Sequence, residues 1–146
     1  MKQLVLTGHT GQNPRYPLSQ IAQFIIKYKQ HKGKVKKALE RELLSIIHQG
    51  SAWGGFILLD LDEKNKLKGV LVMMAGEPGD PNELQYLATT TSDAISTRQQ
   101  LLRSAMKISR GIVAVKCDLS TEDESWLSEL TYRLDRQTDT IHRIGG

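Results

Sequence analysis

The stretch "ELQYLATTTSDAISTRQQLL", residues 83–102, changes its period halfway along. In the first half Leu84, Tyr86 and Ala88 alternate with Glu83, Gln85 and Leu87, the period of two that a strand presents. In the second half Leu101 and Leu102 lead into Ala105, Met106 and Ile108, and Gly111 follows. That pattern predicts a helix from about Thr97 to Ser109. The junction holds Thr, Ser, Asp and Ala but no glycine. A strand running into a helix start can gather a phosphate on backbone amides, provided small residues let the backbone approach. Ser96 and Gln99 have capping-box spacing, so a Ser96 cap would compete for those amides and start the helix at Thr97. Asp93 would repel a phosphate, whereas Arg98 and Arg103 would attract one.

Working outward, "KQLVLTG" (2–8) reads as a strand, "TGHTGQNPRYP" (7–17) as a turn-rich loop and "LSQIAQFIIKYK" (18–29) as a helix. Gly33 breaks the pattern, "VKKALERELLSIIHQG" (35–50) resumes it on Val35, Leu39, Leu43 and Ile46/Ile47, and Gly50 is a stop. "AWGGFILLDL" (52–61) and "KLKGVLVMMAG" (66–76) flank the turn "DEKNK", which predicts a hairpin. Gly54, Gly55 and Gly69 within it predict bulges or close backbone approach. After residue 102, "GIVAVKCDL" (111–119) reads as a strand buried on both faces. "STEDESWLSELTYRLD" (120–135) reads as one helix, capped by Ser120 with Asp123 answering it, and "DTIHRIG" (139–145) as a last strand. The order predicts an α/β domain over residues 1–146, with a mixed sheet of about six strands and four helices.

Composition narrows the function classes. With 39% hydrophobic and 25% charged residues the chain has a globular balance. No apolar run approaches the roughly 20 residues that span a bilayer. Residues 1–15 lack the apolar core of a signal peptide, so the expected location is cytoplasmic. The single cysteine, Cys117, sits in an apolar run and reads as a buried structural thiol. His9, His31, His48 and His142 lack the spacing of a metal site, and no metal is expected. "TGHTG" is not a P-loop, and there is no G-x-S-x-G elbow. The net charge of +4 gathers in residues 27–41, where Lys27, Lys29, Lys32, Lys34, Lys36, Lys37 and Arg41 face one acid, Glu40. Rich in lysine, with Tyr28 its only aromatic residue, this stretch reads as a solvated helical face rather than a nucleic-acid site.

The element order resembles the GCN5-related N-acetyltransferase superfamily over nearly the whole chain. "WGGFILLDLDEKNKLKGVLVMM" resembles that family's hairpin, "ELQYLATT" its fourth strand, and "VAVKCDLSTEDESWLSELTYRL" its fifth strand and following helix. The resemblance implies acetyl-CoA as co-substrate and an acetyl group passed to an unknown small-molecule or peptide amine. The thioester would lie along Leu87, Ala88 and Thr89, and the pyrophosphate on Ala94, Ile95, Ser96, Thr97 and Arg98. It further implies Glu83 as general base and Tyr132, late in the helix, as the acid that protonates the departing thiolate. The family's glycine pattern is absent from "DAISTR", and the Gly-Phe expected after Tyr132 is replaced by "DRQTD". The alternative is a chain that kept this fold, lost CoA binding, and serves as a binding or assembly module. One strand after the last helix, where the family has two, leaves a sheet edge that a second copy could complete as a homodimer.

Overall fold

The computed structural model describes residues 2–6, 16–29, 36–48, 55–77, 79–90, 94–109 and 111–144. The expected 7–15 loop, the break at Gly33, the stop at Gly50, and the readings of Gly54 and Asp93 lie outside them. Among these residues seven strands and four helices follow in the order β1 (Lys2–Leu6), α1 (Leu18–Lys29), α2 (Lys36–His48), β2 (Phe56–Leu61), β3 (Leu67–Met74), β4 (Asn82–Thr89), α3 (Ala94–Ile108), β5 (Val113–Val115), α4 (Thr121–Glu129), β6 (Tyr132–Asp135) and β7 (Thr140–Arg143).

They form one sheet in the order β1-β2-β3-β4-β5-β7-β6, in which only the β4–β5 pair is parallel. Alternation along the strands sorts the core into two layers. Ile57, Leu59, Val70, Val72, Tyr86 and Ala88 bury against Ile21, Ile25, Leu39 and Leu43 of α1 and α2. Phe56, Leu58, Leu71, Met73, Leu84 and Leu87 bury against Leu101, Leu102 and Ala105 of α3 and Leu127 of α4. The hairpin turn stands as read, with Asn65 at φ 61 and the Asp62 carboxylate accepting from the amides of Lys64 and Lys66.

Three expectations are corrected. The helix begun at Ser120 ends at Glu129, and "YRLD" is a strand, so two strands follow α4 where one was expected. Thr131 takes φ 68, a left-handed conformation rare for a β-branched residue, and its carbonyl accepts from Ile144 N at 2.8 Å. That tie turns the chain out of the helix without a glycine. β5 is three residues long, with Val113 buried but Ala114 and Val115 only partly so, and Cys117 lies half-buried beyond its end. The third correction concerns α3. It starts at Ala94, three residues before the expected Thr97, so Ser96 lies within its first turn and is not the cap.

Candidate active site

β4 runs eight residues through the sheet's centre, yet β5 follows it only at Asn82, Glu83 and Leu84. The amide of Lys116 closes the pairing on Leu84 O at 2.9 Å. From Tyr86 to Thr89, β4 pairs with β3 alone among the described residues. Beyond Leu84 there is therefore a gap in the pairing between β4 and the chain after β5. Thr90 N donates to Lys68 O on β3. By the alternation of an antiparallel ladder, the amides of Thr89 and Leu87 then face the gap.

The helix at the mouth of this gap is set down on β3 by a glycine. A Cβ at Gly69 would stand 2.5 Å from Thr97 Cγ2 and 2.8 Å from Leu101 Cδ1. That close approach buries Thr97 completely and leaves its Oγ1 without a hydrogen-bond partner. Ile95 and Ser96 are exposed, and the first turn carries no acid. The leading amides of a helix have no intrahelical acceptor, the general basis on which a helix start can meet an anion.

Arg98 is directed elsewhere. Its Nε and Nη2 donate to the two oxygens of Asp123, at 3.1 and 2.6 Å, and this pair ties the start of α3 to the start of α4. Asp123 is at once the capping-box partner of Ser120, accepting from Ser120 N at 2.8 Å while Ser120 Oγ accepts from Asp123 N at 3.1 Å. Burial alone would push the Asp123 carboxyl up, but the Arg98 guanidinium and the Ser120 amide outweigh it and hold it below the ordinary carboxylate range.

Glu83 lies at the closed end of the gap. It pairs with Met74, which packs on the α1–α2 layer, and its carboxylate lies 3.7 Å from Lys116 Nζ. Tyr132 is on β6 rather than late in a helix, packs into the α3–α4 layer, and donates to Met106 O at 3.3 Å. The two candidate catalytic side chains thus project from opposite faces of the sheet. The structure puts Glu83 at the end of β4 that pairs with β5, Leu87 and Thr89 on its stretch beyond that pairing, and Tyr132 on the other face of the sheet. The short reach of β5 is what sequence reasoning missed, because nothing in "GIVAVKCDL" marks where pairing stops.

No group of three or more metal-ligating side chains occurs among the described residues, and none of their helices is long and apolar enough to cross a membrane. No protein-family model and no curated protein sequence matches the chain. Among solved structures, it is similar to Tetrahymena GCN5 with a TM-score of 0.55 and 12% identity, covering 94% of this chain and 82% of that one. It is also similar to a probable acetyltransferase with a TM-score of 0.58 and 16% identity, covering 94% and 93% of the two chains. These likenesses show an acetyltransferase-type fold.

Proposed function

From that fold as premise, we propose that the chain is an acetyl-CoA-dependent N-acetyltransferase acting on a primary amine. The observation that carries this reading is the parting of β4 from β5 after Leu84, directed at a helix start without acids. The pantetheine arm would lie in the gap as an extra strand-like segment on the free edge of β4, held by the amides of Leu87 and Thr89. The pyrophosphate would rest on the first-turn amides of Ala94 to Thr97. Small hydroxyl residues, rather than glycines, then flank the phosphates.

The chemistry balances as a direct displacement. The neutral amine adds to the thioester carbonyl, the tetrahedral oxyanion collapses, and the C–S bond breaks to release CoA as a thiolate. Glu83, directly or through a water, takes the proton that the amine sheds. We leave Tyr132 out of the chemical step, since its hydroxyl serves Met106 O from the other face.

Release of free thiol from acetyl-CoA, measured against polyamines, amino acids and lysine peptides, tests the reading. Wild-type turnover with at least one amine class is expected. Glu83→Gln should lower kcat by about 100-fold or more, the scale of a lost general base, with KM for acetyl-CoA unchanged. No thiol release with any amine would favour the non-catalytic module.

A further inference from the structure

A second cavity, of about 590 Å³, lies under the opposite end of α3. The helix runs 15 residues, so this cavity is on the order of 20 Å along the axis from the first turn. Its size is in the range of small-molecule sites. Arg103 and Lys107 of α3 and Arg143 of β7 line it, and no carboxylate does among the described residues. Of two other clefts, one includes Glu124 and Asp135, and the other shares Arg103 and Lys107 with this cavity and takes in Asp60. None of the three cations enters an ion pair among the described residues.

Cations in the last turns of a helix ordinarily answer its carbonyl end. That accounts for Lys107 but not for Arg143, which arrives from a separate strand. An independent observation is Ser109. Its residue is 7% exposed, it lines the same cavity, and its Oγ is buried without a hydrogen-bond partner. A buried hydroxyl left unpaired is costly unless something completes it. Met106 and Leu130 supply an apolar wall beside these groups.

We propose that this cavity is a binding site for a small organic phosphate, separate from the proposed acetyl-CoA site. Two guanidinium groups and an ammonium suit a dianion with three acceptor oxygens better than they suit a single carboxylate. The Ser109 hydroxyl donates to one phosphate oxygen, and the organic body of the ligand lies on Met106 and Leu130.

The test is amide-resonance mapping of the whole chain during titration with inorganic phosphate and with phenyl phosphate, against sodium chloride at matched ionic strength. Saturable shifts at Ser109, Gly111 and Arg143 are expected, with phenyl phosphate binding several-fold more tightly than inorganic phosphate. Arg143→Glu should weaken phenyl phosphate at least tenfold and Ser109→Ala about threefold. If Arg143→Glu melts early, Arg143→Gln removes the charge and keeps the size. Acetyl-CoA, titrated separately, should still bind Arg143→Glu, so either site can fail without obscuring the other. Equal shifts with chloride, shifts confined to residues 94–98, or unchanged affinity in the variants would overturn the proposal.

Discussion

Two helices begin side by side in this molecule and end their backbones differently. At the start of α4, Ser120 and Asp123 cap each other, three acids occupy the first turn, and Arg98 reaches across to the buried carboxylate. At the start of α3, no acid occupies the first turn and the side chains of Ile95 and Ser96 face outward. The first is a closed end, its amides and its charge already answered. The second has no acid and no ion pair from Ile95 or Ser96 in its described first turn. The difference teaches that two helix starts joined by one ion pair, Arg98–Asp123, can be settled differently, and the proposed phosphate site rests on the second.

Removing the closed end should cost most. Asp123→Ala leaves Arg98 and the Ser120 amide without their acceptor, and should lower stability by about 3–5 kcal/mol in denaturant unfolding. The pH dependence has a definite sign. A carboxylate held below its ordinary range stabilises the fold above that range, and the contribution is lost as pH falls through the depressed value. Wild type should therefore lose stability on acidification more steeply than Asp123→Ala. Parallel curves would remove Asp123 from this role.

Gly69→Ala acts on the open end by pushing Thr97 and Leu101 off β3. A loss of about 1–3 kcal/mol is expected, since the stiff, fully buried Thr97 has no room to yield. A neutral result would mean that α3 is not seated by that glycine.

Asp60 sharpens the comparison as a buried carboxylate without Asp123's partners. Both its oxygens lack hydrogen bonds, and burial pushes it up, with Lys68 drawing it only partly back. Here the sign reverses: the charged form opposes folding, and stability is regained as pH falls through the raised value. Asp60→Asn should be more stable than wild type at neutral pH and lose that advantage in acid. Thermal melts at the two pH values decide it.

The smallest effect separates two serines of the same apparent sequence role. Ser120→Ala should cost about 1 kcal/mol as a lost cap, while Ser96→Ala should stay within about 0.5 kcal/mol. Equal losses would restore Ser96 as the cap of α3.

Those serines also show how much was legible in the sequence. The α4 cap, the hairpin around Asn65 and the existence of β2, β3 and β4 are local signals, and the structure reproduces them; the alternation read along β4 breaks at a bulge, which puts Leu84 in the other layer from Tyr86 and Ala88. β6 was hidden because Trp126, Leu127, Leu130 and Leu134 keep helical spacing across the break. That break is made by Thr131, whose positive φ no residue type announces. The start of α3 was misread because S-x-x-Q spacing is a local preference. The seat of Thr97 and Leu101 over Gly69 is a tertiary contact with a strand 28 residues earlier. The gap depends on where β5 stops, a property of paired strands that one strand's sequence does not carry. Glu83 could be placed at a strand start from its alternation, but its face relative to Tyr132 needed the register.

The central claim is that the open helix start receives the phosphates of acetyl-CoA. Ser96→Glu tests it most directly, because a carboxylate in a first turn favours the helix while opposing a bound pyrophosphate. Calorimetric titration with acetyl-CoA should give a one-site isotherm of about micromolar affinity for wild type. Ser96→Glu should bind at least tenfold more weakly with no loss of thermal stability. Absence of heat from wild type at high protein concentration, or equal affinity in the two proteins, would contradict the account.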